Sequence, residues 1–170
     1  MSPKLQQGDH FPSLTFSLID GGSITLPNDI PTRYAAILFY RGYWWPPCIR
    51  QLAEWEKRKT ELENLSCSIY AVSADTLAEA KMAAGKSMAT FPIAHGCTKA
   101  DAYTLGGWWG DHPPDGEHIQ QQSSYSAVVV WFWDQCTHLD QLVEWTQTKP
   151  YSWSQVGKNV VNSGVRTKKW

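Results

Sequence analysis

Short apolar runs and amphipathic segments alternate along the first half of the chain, a pattern typical of alternating strands and helices. Two extended runs, 16–19 and 23–26, flank an Asp-Gly-Gly turn at 20–22 whose residues tolerate a positive φ, which predicts a β-hairpin. The continuous apolar run 34–40 has the length of a strand that is buried on both faces of a sheet. The chain is therefore expected to begin with a hairpin and a central strand.

The pattern then changes to helical spacing. The proline pair at 46–47 suits the first turn of a helix, and apolar positions between 49 and 65 recur at helical intervals with charged residues between them. The run 67–73 predicts the next buried strand. Thr76 with Glu79 three residues later forms a capping box that begins another helix. These segments give the order strand, helix, strand, helix.

The middle of the chain is less regular. Residues 91–93 predict the start of a strand, and 99–105 predict one or two helical turns that end at the glycine pair 106–107. The segment 108–122, rich in proline and glycine, is expected to be a loop. This loop separates the repeating pattern from a different C-terminal part.

The C-terminal part carries one further apolar run and one amphipathic segment. The run 127–133 predicts a strand. Thr137 and Asp140 predict the cap of a final helix that ends before Pro150. That helix would carry the apolar face formed by Leu139, Leu142, Val143 and Thr146.

Length, charge and hydropathy restrict the class of protein. The 170 residues, without a linker or repeat, predict a single domain over 1–170 with an α/β fold. Fifteen Lys+Arg against sixteen Asp+Glu give a net charge of -1, which does not favour a nucleic-acid or anionic-membrane partner. Neither a membrane-spanning run nor a secretory signal is recognisable, so a cytoplasmic protein is expected.

The four cysteines are widely spaced and predict free thiols rather than a disulfide framework. Cys67 opens a buried strand and is expected in the core. Cys97 and Cys136 are expected to be partly exposed. His95, His112 and His118 show no second pair with ligand spacing, so no metal is expected.

The most distinctive segment joins the predicted central strand to the first helix. Residues 41–52 read Arg-Gly-Tyr-Trp-Trp-Pro-Pro-Cys-Ile-Arg-Gln-Leu, with Phe-Tyr before them and Ala-Val-Ser-Ala-Asp at 71–75. This segment resembles the thioredoxin-like superfamily and, within it, the peroxiredoxin-like proteins of the alkyl hydroperoxide reductase/thiol-specific antioxidant group. Those proteins carry a phrase close to Tyr-Arg-Gly-x-Trp-Cys-Pro-x-Cys-x-x-Gln-Leu. The stretch Gly-Trp-Trp-Gly-Asp-His-Pro at 107–113 is similar to one found in a branch of the group.

The resemblance covers residues 5–120, and the chain diverges from the family over 120–170. It implies a thioredoxin-like fold, with a central mixed sheet of about five strands, flanking helices and an N-terminal β-hairpin.

The chain departs from the family phrase at the reactive position. The family's peroxidatic cysteine precedes the first proline, and here that position holds Trp45. Cys48 falls on the second cysteine of the phrase, where the helix dipole and free N–H groups help a thiolate less than at the helix cap. Trp45, three positions earlier, is expected to lie against Cys48 and limit access to it. No arginine lies between Arg58 and Arg166, so the family's late arginine has no match.

The first functional hypothesis follows from this loss and from the ten tryptophans of the chain. It is a peroxiredoxin-like scaffold that binds an apolar or aromatic small molecule at the former active site and catalyses isomerisation, cyclisation or elimination without a cofactor. The expected binding residues are Tyr43, Trp44, Trp45, Trp108 and Trp109. Residues expected to transfer protons or stabilise negative charge are Tyr40, Arg41, Asp111 and His112.

Other interpretations stay open. Cys48 can act as the catalytic thiol of an oxidoreductase, with glutathione or a partner thiol resolving its sulfenic acid, or it can be a shielded thiol in the core. A third hypothesis is a pseudoenzyme that binds a protein partner. His112 can merely anchor its loop, and several tryptophans can be core or dimer contacts. The aromatic run 131–133 needs cover on both faces, so a homodimer is one expectation.

Overall fold

The computed structural model describes residues 11–106, 109–110, 121–122, 126–130 and 142–146. The strands are β1 (Leu14–Leu18), β2 (Ser23–Leu26), β3 (Tyr34–Phe39), β4 (Cys67–Val72), β5 (Ile93–His95), β6 (Trp109–Gly110), β7 (Gln121–Gln122), β8 (Ser126–Val130) and β9 (Leu142–Thr146). The helices are α1 (Pro46–Lys57), α2 (Lys59–Asn64), α3 (Leu77–Ser87) and α4 (Lys99–Thr104).

A five-stranded mixed sheet in the order β2-β1-β5-β4-β3 forms the centre of the fold. Strand β4 pairs in parallel with both β3 and β5, whereas β1 pairs antiparallel with β5 and with β2. The β1–β2 pair is the hairpin that the Asp-Gly-Gly turn predicts. Together with the helices, this sheet confirms the predicted thioredoxin-like α/β fold.

Both faces of the sheet are covered by apolar side chains. All six residues of β3 are buried, as its uninterrupted apolar run predicts for a strand with two covered faces. One face packs against α1, α2 and α3 through a cluster that includes Leu38, Leu52 and Leu62. The other face carries a cluster around Phe16, Phe39 and further residues of the hairpin. Because both faces of the sheet are packed in this way, the carboxyl ends of β3 and β4 are held in place.

The first helical segment is shorter than its apolar spacing predicts. Instead of one helix through residue 65, α1 ends at Lys57 and α2 begins at Lys59. Arg58 between them leaves the helical conformation, with φ -102° and ψ 1°. Because apolar spacing continues across the break, periodicity alone did not reveal it.

Capping boxes begin the next two helices. The Thr76 hydroxyl accepts from the Glu79 N–H, and the Glu79 carboxylate accepts from the Thr76 N–H at 2.8 Å, as the sequence predicts. The same reciprocal arrangement joins Thr98 and Asp101 at the start of α4. These paired bonds define where each helix begins.

The C-terminal half of α1 is tied to the segment before β5. The Glu56 carboxylate accepts from both the N–H and the hydroxyl of Thr90, each at 2.7 Å. Lys59 donates from Nζ to the same hydroxyl at 2.8 Å. This contact links two segments that are far apart in sequence.

Two predictions for the later part of the chain are wrong. The predicted loop 108–122 contains the paired strands β6 and β7. The predicted final helix contains β9, which pairs antiparallel with β8. Residues 142–146 include the β-branched Val143 and Thr146 and the aromatic Trp145, which favour a strand, and pairing with β8 overrides the helical spacing. Strand β8 itself lies beside β3 and confirms the predicted strand over part of 127–133.

Other predictions fall outside the described residues. These are the caps Thr137 and Asp140 and the aromatic residues 131–133 on which the homodimer hypothesis rests. Within the part of the chain that the structure describes, no helix is long and apolar enough to cross a membrane.

Candidate functional site

The distinctive segment lies where the carboxyl ends of β3 and β4 meet. Because the two strands are parallel neighbours, the residues that follow them emerge at the same edge of the sheet. Tyr40 and Arg41 follow β3, whereas Ser73 and Asp75 follow β4. Helix α1 begins five residues after Arg41, at Pro46. Three elements therefore converge on this edge.

Gly42 allows the two strand ends to approach closely. Its φ is +148°, and a Cβ at this position would lie 2.6 Å from Asp75 Oδ1 and 2.7 Å from Trp44 Nε1. The next residue, Tyr43, donates its N–H to Asp75 Oδ2 at 3.0 Å. Any other side chain at position 42 would displace the carboxylate or the indole.

Three polar hydrogen-bond donors at this edge are buried and have no partner among the described residues. They are the Tyr40 hydroxyl, Arg41 Nε and Trp44 Nε1. Tyr40 is fully buried, and its hydroxyl faces Ser73 and Asp75 without reaching hydrogen-bond geometry with either. A buried donor without an acceptor is costly, and such groups cluster at functional sites.

Asp75 is the acidic member of this cluster and is only 6% exposed. Burial, together with a smaller effect of the Glu79 charge, raises the pKa of its carboxyl from 3.8 to about 6. Hydrogen bonding from Ser73 and Tyr43 opposes this rise in pKa, as does the proximity of the Tyr40 hydroxyl. A carboxyl with this pKa exchanges its proton near neutral pH, as a general acid or base must.

The Tyr40 phenol stays protonated. Burial raises its pKa well above the ordinary value, and the charge of Asp75 adds to this rise. Tyr40 is thus a hydrogen-bond donor rather than a base at neutral pH.

Aromatic rings that are partly exposed cover the cluster. The ring centroids of Trp44 and Trp45 are 5.7 Å apart. The Arg41 guanidinium lies over the Trp45 ring at 5.3 Å, and Lys86 Nζ lies over the Tyr43 ring at 5.0 Å. These rings offer apolar surface next to two positive charges.

Cys48 lies beneath this layer and is 2% exposed. The Arg41 N–H donates to Cys48 Sγ at 3.4 Å. Burial raises the pKa of the thiol, although the N–H groups of Arg41 and Gly42 and the Arg41 charge oppose the rise. Trp45 packs against the same buried cluster, in agreement with the predicted proximity of Trp45 and Cys48.

The amino terminus of α1 does not supply the free N–H groups that the sequence analysis expected. Pro46 and Pro47 have no N–H. Cys48 and Ile49 donate theirs to the Trp45 carbonyl at 2.9 and 3.3 Å. Helix α1 consequently offers its dipole to an anion but few directed hydrogen bonds.

The structure brings together most of the residues that the sequence singled out around 40–48. Trp109 is buried in β6, on a different element. Trp108, Asp111 and His112 lie outside the described residues, so their predicted roles stay predictions. Asp75 and Ser73 lie in the same group but were not among the candidate residues of the sequence analysis. Their position directly after the second parallel strand was the signal that could have identified them.

The two other cysteines in the described part of the chain lie in the core. Cys67 and Cys97 are both buried, which confirms the first prediction and corrects the second. Cys97 is enclosed because its side chain packs in the apolar cluster on the hairpin face of the sheet, and its N–H donates to the Ser73 carbonyl at the end of β4. Cys136 lies outside the described residues. Over the ranges that the structure covers, no three His, Cys, Asp or Glu side chains gather as a metal site.

Comparison with solved structures supports the fold. Peroxidoxin BcpB from Mycobacterium tuberculosis has a TM-score of 0.70 at 13% identity, over 94% of this chain and 96% of that one. The peroxiredoxin 6 of Arenicola marina, as a cysteine-to-serine mutant, has a TM-score of 0.74 at 13% identity, over 97% of this chain and 76% of that one. Peroxiredoxin Q of Xanthomonas campestris has a TM-score of 0.65 at 16% identity, over 88% of each chain.

No curated protein matches the sequence. The model of the AhpC/TSA family matches residues 7–113, which is more than half of the chain and includes the whole segment described above. The match therefore agrees with the resemblance in the 41–52 segment and with the peroxiredoxin-like sheet: this chain belongs to the AhpC/TSA family.

Proposed function

We propose that this chain is a member of the AhpC/TSA family without a peroxidatic cysteine, in which Trp45 occupies that position. Its site binds an apolar or aromatic small molecule against Tyr43, Trp44 and Trp45 and carries out non-redox chemistry without a cofactor. The observation that carries the proposal is the group of buried, unpartnered donors beside the Asp75 carboxyl.

The donors match what a non-redox site requires. Isomerisation, cyclisation and elimination develop negative charge on an oxygen, and fixed N–H and O–H groups stabilise that charge. Tyr40, Arg41 and Trp44 hold such groups in place before any ligand arrives. The neighbouring rings supply the apolar contact that holds the rest of the molecule.

The surroundings of Cys48 favour this function over a thiol peroxidase. A peroxidatic thiol must be a thiolate and must reach the peroxide. Cys48 is 2% exposed, and its pKa is raised. The two prolines at the start of α1 also remove N–H groups that would stabilise a thiolate there.

Peroxide consumption with dithiothreitol as reductant tests the proposal. The natural chain is compared with Trp45→Cys, which restores a cysteine before the first proline, and with Cys48→Ser. We expect the natural chain and Cys48→Ser to be equally inactive and Trp45→Cys to gain turnover.

Two results would contradict the proposal. Peroxide consumption by the natural chain that Cys48→Ser abolishes would establish the alternative, a peroxidase acting through Cys48 with a thiol such as glutathione as resolving partner. An inactive Trp45→Cys that is folded and labelled by iodoacetamide at residue 45 would show that this position was not the lost nucleophile.

A further inference from the structure

We propose that Asp75 is the general base of this site and that its substrate is a small aromatic carbonyl compound with an acidic C–H next to the carbonyl. This inference rests on the proposed function and names its substrate class and its proton-transferring residue.

The placement of Asp75 suits a base better than a structural carboxylate. One carboxylate oxygen is fixed by the Tyr43 N–H at 3.0 Å. The other lies close to Gly42: a Cβ at that position would come within 2.6 Å of it and within 2.7 Å of Trp44 Nε1. No arginine or lysine forms an ion pair with Asp75 among the described residues, so the charge of its carboxylate is not neutralised.

The donors around Asp75 select the ligand. The Tyr40 hydroxyl, Arg41 Nε and Trp44 Nε1 can each donate a hydrogen bond and have no partner among the described residues, so they call for an oxygen acceptor on the ligand. Asp75 is an acceptor when ionised and calls for an acidic hydrogen. A carbonyl compound with a C–H on the adjacent carbon supplies both groups: its oxygen is the acceptor, and that C–H is the acidic hydrogen.

Charged and titratable groups reach Asp75 from each element packed around it. Tyr40 comes from the end of β3, and Glu79 from α3 raises the pKa of the carboxyl. The charge of Asp75 in turn raises the pKa of Cys48 on α1, whereas Arg41 lowers that of the same thiol. Burial nevertheless dominates, and the carboxyl titrates at about 6.

The proposed step is a proton transfer that balances without an oxidant or reductant. The Asp75 carboxylate takes the proton from the carbon next to the carbonyl. The C–H electron pair becomes the new C=C bond, and the carbonyl π pair moves to the oxygen, where the donors stabilise it. Return of the proton to carbon regenerates the ketone, and its transfer to oxygen gives the enol.

Phenylpyruvate in deuterated water is the probe for this step. It has an aromatic ring, a ketone and exchangeable hydrogens on the adjacent carbon, and NMR follows their replacement by deuterium above the protein-free rate. Benzoylformate is the matched control compound because it has the ring and the ketone but no hydrogen on an adjacent carbon. Both are also titrated by quenching of tryptophan fluorescence.

Asp75→Asn is compared with Asp20→Asn, which alters an exposed carboxylate in the β1–β2 turn. We expect Asp75→Asn to lower the exchange rate about 100-fold, the lower range for loss of a general base. Asp20→Asn should leave it unchanged. In the natural chain the rate should rise with pH around a midpoint near 6, because only the ionised carboxylate accepts the proton.

The outcomes separate this inference from the proposed function. Quenching by both compounds without protein-dependent exchange would overturn the role of Asp75 as a base and leave small-molecule binding intact. Exchange that Asp75→Asn retains would also overturn it. If Asp75→Asn does not fold, a rate independent of pH between about 5 and 7 in the natural chain would overturn it instead. Quenching by neither compound would contradict the proposed substrate class, whereas peroxide consumption through Cys48 would contradict the proposed function itself.

Discussion

The two ends of the β3–β4 pair satisfy their polar groups in opposite ways. At the amino end, Thr32 donates its hydroxyl to the Tyr34 carbonyl at 2.7 Å, and its oxygen accepts from the Ser68 N–H at 3.2 Å. At the carboxyl end, the Tyr40 hydroxyl and Trp44 Nε1 are buried without partners. At the amino end of the two strands, Thr32 satisfies neighbouring polar groups by hydrogen bonds. At the carboxyl end, the donors have no partner among the described residues and are available to another molecule.

The two buried thiols near these ends repeat the contrast. Cys67, at the start of β4, has its pKa raised to about 12 by burial, opposed by one backbone hydrogen bond. Cys48 is equally buried, but two backbone N–H groups and the Arg41 charge oppose the rise. Equal burial therefore does not give equal electrostatics: more groups oppose the rise in pKa at Cys48 than at Cys67.

The largest expected effect comes from closing the space at the carboxyl end. Gly42→Ala places a Cβ within 2.7 Å of both Asp75 Oδ1 and Trp44 Nε1 at a φ that suits glycine. We expect the free energy of unfolding to fall by about 3 kcal/mol, the upper range for local backbone strain. Urea denaturation measures this change.

Gly85→Ala is the matched control, because a Cβ there meets nothing within 4 Å. Its position inside α3 predicts a gain of up to about 1 kcal/mol from helix propensity. Equal losses in the two variants would show that Gly42 is not specially constrained.

Stability should depend on pH through Asp75. Its pKa is about 6 in the folded chain and 3.8 as the reference, so the folded state binds the proton more tightly. The free energy of unfolding is therefore highest below the reference pKa, and it falls by about 3 kcal/mol as the pH rises from about 4 to 7. Denaturation over this pH range should show a corresponding slope that Asp75→Asn lacks. If the natural chain and Asp75→Asn show the same slope, the pH dependence of stability comes from groups other than Asp75.

The thiols offer a smaller and more local comparison. We expect iodoacetamide at about pH 8 to label Cys48 faster than Cys67, because two backbone N–H groups and the Arg41 charge oppose the rise in pKa at Cys48, whereas one backbone hydrogen bond opposes it at Cys67. Peptide mass spectrometry reports each site separately. Arg41→Gln should slow the labelling of Cys48 and leave the labelling of Cys67 unchanged. Faster labelling of Cys67 than of Cys48 in the natural chain would contradict the proposed contrast.

The amino end should show the smallest effect. Thr32→Val removes the hydroxyl that serves Tyr34 and Ser68, and we expect a loss of about 1 kcal/mol. Thr15→Val, at an exposed hydroxyl pair with Thr25, should cost less. Quenching of tryptophan fluorescence by benzoylformate should be unaffected by Thr32→Val, because that residue lies at the opposite end of the strands.

The sequence was informative where one strong local signal decided the structure. The continuous apolar run predicted β3, and the Thr76–Glu79 pair predicted the start of α3. It was misleading at β9, where residues 142–146 satisfy helical spacing and strand alternation at once, and pairing with β8 decides between them. Short apolar segments of this kind are ambiguous without their partner.

The candidate site was predictable only in part for the same reason. Arg41, Trp44 and Cys48 lie within one motif, so the motif identified them together. Asp75 joins them through a hydrogen bond to Tyr43 across 32 residues of sequence. Its pKa depends on burial that only the assembled sheet provides.

The two ends of α1 should also differ in amide hydrogen exchange. The Trp45 side chain makes no capping bond at the amino end, whereas Glu56 near the carboxyl end holds Thr90 by two hydrogen bonds. Fraying from the amino end exposes the amides nearest Cys48 without disturbing the rest of the fold. The amides near Glu56 exchange only when the helix separates from the segment before β5. We therefore expect helix α1 to belong to two cooperative units, of which the less protected one carries the site.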